Sequence, residues 1–128
     1  MFVNVLCVGC GGFIGASLRY LVTFFVSSTW YGAWPLATFL INLVGCFCMG
    51  LFSTCIPVLF PENNKALLFG TTGLLGGFTT LSTFGLETLG LVQEDNYLMA
   101  GGYIAATLAV CLFGVALGRM AGRAIFNN

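Results

Sequence analysis

Long apolar runs divided by short polar breaks set the pattern of this chain. Four runs, about 2–26, 35–59, 66–92 and 97–126, hold the apolar residues. A helix needs about 20 such residues to cross a hydrocarbon core about 30 Å thick. The breaks read Ser27-Ser28-Thr29, then Pro61-Glu62-Asn63-Asn64-Lys65, then Gln93-Glu94-Asp95-Asn96. Six of the eight charged residues avoid the run centres: Glu62, Lys65, Glu94 and Asp95 lie in breaks, and Arg119 and Arg123 lie near the end of the last run. Trp30, Tyr31, Trp34 and Tyr97 fall at run ends, where an aromatic belt sits. The pattern predicts an all-α membrane protein: one integral membrane domain over residues 1–128, with four transmembrane helices. The first run lacks a basic leading region and is too long for a cleaved signal peptide, so it is expected to remain a span.

Composition narrows the functional classes. The chain is 59% hydrophobic and 6% charged, against about 25% charged in soluble domains. Four basic and four acidic residues give no net charge and no basic stripe for nucleic acid. Histidine is absent, which removes the commonest general base and metal ligand. No nucleophile, base and orienting group converge, so an enzyme is not expected.

Small residues recur at a stride of four: Gly11 and Gly15, Gly12 and Ala16, then Gly114, Gly118 and Gly122. In lipid such seams let helix backbones approach closely, and four thin helices enclose little volume, so association between chains is expected. The six cysteines, Cys7, Cys10, Cys46, Cys48, Cys55 and Cys111, lie within apolar runs, where cysteine packs as a small hydrophobe. Cys7 and Cys10 have CxxC spacing but no second ligand pair for zinc. With an even number of spans both termini share a side with Lys65, Arg119 and Arg123. The positive-inside rule places that side in the cytoplasm, on a bias of only three charges that also admits dual insertion.

Three polar features interrupt the apolar runs. Arg19 lies past the middle of the first run, readable as a snorkelling anchor or as a cation near an anion's path. Asn42 lies mid-run in the second, with Thr38 one turn earlier on the same face. The pair is readable as interhelical glue or as donors toward an anion. In the third run, Gly76-Gly77-Phe78-Thr79-Thr80-Leu81-Ser82-Thr83-Phe84-Gly85 sets a glycine pair beside four hydroxyls. That combination predicts a helix broken mid-membrane, with freed backbone groups able to act as ion ligands. Glu87 follows in the same run and marks a pathway or a paired site. In the fourth run Thr107 and Cys111 share a face and extend a polar track.

These residues resemble a known family. GGFTTLSTF over 76–84, followed by Glu87, is similar to the third-helix signature of the Fluc/CrcB fluoride channels. The stretches GGFIGASLRY over 11–20 and TFLINLVG over 38–45 match its first- and second-helix patterns. The resemblance covers essentially the whole chain and implies an antiparallel, dual-topology dimer of four-helix subunits with two pores, in the bacterial inner or plasma membrane. It implies passive, fluoride-selective export of toxic fluoride, and a structural sodium ion (Na+) held at the centre by the backbone carbonyls of Gly76 and Thr79. It implies a fluoride path at Asn42, Thr38, Phe84, Thr107 and Cys111. Ser82 and Thr83 support the break on that path, and Arg19 and Glu87 lie toward a vestibule.

The family usually reads TTFSTF, with two phenylalanines whose partly positive edges face an anion. Here Leu81 replaces the first of them, and Phe78 stands where an aliphatic residue is common. Half of the aromatic box is therefore missing unless Phe78 or another chain supplies it. Cys111 stands where a serine is often found. Some members work as heterodimers, so the partner is expected to be a second copy or a related chain. A small multidrug-type transporter also has four spans, but it needs an acidic residue in the first span, where this chain has Arg19.

Overall fold

The computed structural model describes residues 1–126. Helix α1 spans Phe2–Thr29 and α2 spans Leu36–Leu59. A shorter helix, α3 (Asn64–Leu68), leads into a π-helical segment, Phe69–Leu75, and then one turn, α4 (Gly76–Phe78). The chain is helical again in α5 (Leu81–Gln93) and α6 (Tyr97–Phe126). Among the described residues there is no strand. Helices α1, α2 and α6 are each long and apolar enough to cross a membrane, as a multi-pass membrane protein requires. The run from 64 to 93 is divided into shorter pieces.

The polar break at 27–29 does not end α1. Ser28 and Thr29 donate their hydroxyls back to the Phe25 and Val26 carbonyls, so the last turn satisfies itself and continues to Thr29. The turn between α5 and α6 closes in a left-handed cap. Asp95 has φ of 57°, its N–H donates to the Val92 carbonyl, and Asn96 N–H donates to the Leu91 carbonyl.

Two glycine seams hold the bundle. Helix α2 packs mainly along α6, and α1 packs on the π-helical segment and α4. A Cβ on Gly50 would collide with the Val115 carbonyl of α6, and one on Gly118 with the Phe47 carbonyl of α2. On the other seam Gly11 meets Gly73: a Cβ on either would stand 3.1 Å from the other's Cα. Gly77 belongs to this seam too, since a Cβ there would sit 2.6 Å from the Gly12 carbonyl oxygen. Gly76 and Gly77 are thus both helical, Gly77 serves close approach, and the helix itself stops after Phe78.

Candidate functional site

The chain leaves helical geometry at Thr79 (φ −75°, ψ 157°) and Thr80 (φ −150°, ψ 118°). Asn42 on α2 holds these residues. Its Nδ2 donates to the Thr80 carbonyl at 2.9 Å, and its Oδ1 accepts from the Thr80 N–H at 2.8 Å. A backbone N–H can only donate and a carbonyl can only accept, so the amide has one allowed orientation. In an uninterrupted helix the Thr80 N–H would have bonded the Gly76 carbonyl. Its diversion to Asn42 deprives Gly76 of that partner. The Thr79 carbonyl is likewise turned out of the helix and accepts from Arg19 Nη1 at 3.4 Å.

Hydroxyls close the other side of the break. Thr80 caps α5: its Oγ1 accepts from the Thr83 N–H at 3.2 Å and donates to Thr83 Oγ1 at 3.1 Å. Ser82 Oγ lies 3.2 Å from the same oxygen. Thr79 Oγ1 donates to the Leu75 carbonyl. Ser82 and Thr83 remain exposed on the single chain.

A cavity of about 210 Å³ opens beside the break, and Asn42, Thr80, Phe84, Thr107 and Cys111 line it. Leu81 also reaches it, although its side chain is 76% exposed. The Thr107 hydroxyl is buried and, among the described residues, is the one buried side-chain polar atom without a hydrogen-bond partner. Phe78 packs toward Gly45 of α2 and is not among the residues lining that cavity.

Thr38 and Glu87 meet one level away. Glu87 Oε1 accepts from the Thr38 hydroxyl at 2.8 Å, and Oε2 accepts from the Tyr103 hydroxyl at 2.8 Å. The carboxylate therefore ties α2, α5 and α6 together. Arg19, Thr38, Thr80, Thr83 and Glu87 share a second cavity of about 260 Å³, so Arg19 and Glu87 face one space. Tyr103 is fully buried and packs its ring 5.0 Å from Phe84 and 5.6 Å from Trp34.

Reading from sequence left out two residues of this region. Tyr103 is Thr107 less four and Cys111 less eight, so the helical stride that joined the latter two also reaches it. Cys46 lines the central cavity one turn beyond Asn42, where it had been read as packing.

Comparison with known proteins places the chain. A family model described as "CrcB-like protein, Camphor Resistance (CrcB)" matches residues 6–119. The chain belongs to the CrcB family. A relative named "Fluoride-specific ion channel FluC" from Ruminiclostridium cellulolyticum is 44% identical over 123 residues, 96% of this chain and 95% of that one. A CrcB relative of the same printed name from Chloroflexus aurantiacus is 42% identical, covering 93% of this chain and 98% of its own. Another, from Helicobacter pylori, is 42% identical over 110 residues, 84% of each chain.

Proposed function

We propose that this CrcB chain is a fluoride-selective channel, passive and without enzymatic chemistry, whose anion path runs through the cavity beside Thr79–Thr80. The observation that carries the reading is the Thr107 hydroxyl, buried without a partner in a cavity shared with Asn42 and Phe84. A buried donor without a partner costs about 1–3 kcal/mol, and an anion in the cavity would remove that cost. Fluoride is small and strongly hydrated, so its path must replace water with donors at close range. The Thr107 hydroxyl, the second N–H of the Asn42 amide and the Phe84 ring edge are such groups. The N-terminus of α5, opening at the break, adds a partial positive charge. Cys111 extends the track more weakly, because a thiol is a poor donor. Arg19 favours an anion on the vestibule side. Glu87, whose two oxygens each accept a hydroxyl, presents less of its charge to the path.

In this reading residues 64–93 form the third of four spans, broken mid-membrane, and two copies assemble antiparallel. Support comes from the exposed Ser82 and Thr83 beside extended backbone. Hydrocarbon cannot satisfy such groups, so protein must cover them. The carbonyls of Gly76 and Thr79, one released by Asn42 and one turned outward, have the hard-oxygen chemistry that suits an alkali ion such as the implied Na+. Such an ion would neutralise carbonyl dipoles where two copies meet. Arg19 draws on the same Thr79 oxygen.

The test is efflux of fluoride against chloride from liposomes holding this chain alone. Rapid fluoride efflux with little chloride efflux is expected. Chloride efflux at a comparable rate, or none of either ion from folded protein even with a related chain added, would end the reading.

A further inference from the structure

The geometry points to a two-thiol site for a soft, thiophilic d10 cation of the silver, cuprous or mercuric kind, formed by Cys46 and Cys111 in the wall of the central cavity. Its consequence for transport rests on the fluoride-path reading above; the site itself does not. Asn42 and Cys46 are one turn apart on α2, and Thr107 and Cys111 one turn apart on α6. All four line the same cavity of about 210 Å³. Cys46 on α2 and Cys111 on α6 thus line one small cavity from two packed helices. They are brought there by the α2–α6 glycine seam, where Gly114 would place a Cβ 3.5 Å from the Phe47 nitrogen. Both cysteines are free and half-buried.

The donor set selects the metal class. Among the described residues no group of three or more His, Cys, Asp or Glu side chains clusters to hold a metal. Zinc therefore lacks its usual four ligands. Two thiolates on opposite helices suit a soft ion content with two sulfur ligands. The unpartnered Thr107 hydroxyl, 5% exposed in the same cavity, adds a weak oxygen donor beside them. Binding is proton exchange without redox change: two S–H bonds break, two metal–sulfur bonds form, and two protons leave. With silver(I) the bis-thiolate is anionic; with mercury(II) it is neutral. Either fills the cavity, and the silver form also repels an anion.

Silver nitrate in chloride-free buffer is the probe, with Cys7, Cys10, Cys48 and Cys55 replaced by alanine and the full chain in detergent or liposomes. One silver per chain is expected, with both remaining thiols lost to thiol titration. Adding Cys46→Ala or Cys111→Ala is expected to weaken silver binding by more than about 10-fold. In liposomes silver is expected to reduce fluoride efflux to that of protein-free vesicles, measured against each variant's own silver-free rate, with recovery on adding dithiothreitol. Silver binding that ignores both substitutions, or two silvers bound independently per chain, would overturn the site. Full efflux with the pair occupied would overturn its place on the path. If the silver-free protein passes no fluoride, the transport reading fails, while silver stoichiometry still decides the site.

Discussion

Asn42 spends both ends of one amide on the backbone of one residue, Thr80. An alanine there would leave a buried N–H and a buried carbonyl unpaired, at about 1–3 kcal/mol each. Asn42→Ala is therefore expected to lower the melting temperature in detergent and to abolish fluoride efflux. Retention of both would show that the break does not depend on the clamp. Glu87 permits a cleaner measurement, because its two bonds can be removed isosterically. Thr38→Val and Tyr103→Phe each delete one hydroxyl from the carboxylate. Each is expected to cost about 1–3 kcal/mol. The double variant should fall short of the sum, since both partners act on one group. Strict additivity in chemical denaturation would mean that the two oxygens are stabilised independently. The Asn42–Thr80 junction was legible in sequence as an amide and a hydroxyl cluster at mid-run. The choice between glue and donor was not, because only coordinates show where the amide's hydrogens go. Tyr103 was passed over because a tyrosine in an apolar run reads as packing until its hydroxyl is found on Glu87.

At the scale of elements, the glycines divide into those the packing requires and those it does not. A Cβ on Gly50 would collide with the Val115 carbonyl, whereas Gly101 and Gly90 have nothing within 4 Å. Gly50→Ala is expected to force α2 from α6 and cost several-fold in folded yield. Gly101→Ala should be neutral or stabilise by up to about 1 kcal/mol, because alanine is the better helix former. Equal melting temperatures for the two variants would contradict the seam. The stride of four among small residues made the seams legible from sequence, and Gly11, Gly15, Gly118 and Gly122 are all buried in them. Within the stretch 76–85 the chain leaves helical geometry at Thr79–Thr80 and not at the glycine pair. Glycine permits close contact as well as conformational freedom, and Gly77 is used for contact with Gly12 of α1. The threonines that follow leave the helix because Asn42 and the Thr80 cap offer their backbone better partners.

At the scale of the whole molecule, the question is how a chain with so little charge chooses its direction in the membrane. Lys65, Arg119 and Arg123 are the basic residues at or beyond the ends of the runs on the side shared with the termini. The opposite breaks carry none, and the α5–α6 turn carries Glu94 and Asp95. Acidic residues contribute little to orientation, so three cations set a weak bias. An antiparallel pair of identical chains needs both insertions, and a weak bias leaves both accessible. Strengthening the opposite side should remove that freedom. Gln93→Lys with Asn96→Lys places two cations at the α5–α6 turn. With Lys65→Gln and Arg123→Gln added, the bias reverses, and reporter fusions to the C-terminus should report a single orientation. Such a chain alone is expected to lose fluoride efflux while remaining folded. Co-expression with a chain biased the other way, unaltered at 93 and 96 and carrying an added lysine beside Lys65, should restore it. Efflux from the reversed chain alone, once a single orientation is established, would show that the working assembly is not antiparallel. Efflux restored only by the oppositely biased partner would establish that one copy must face each way.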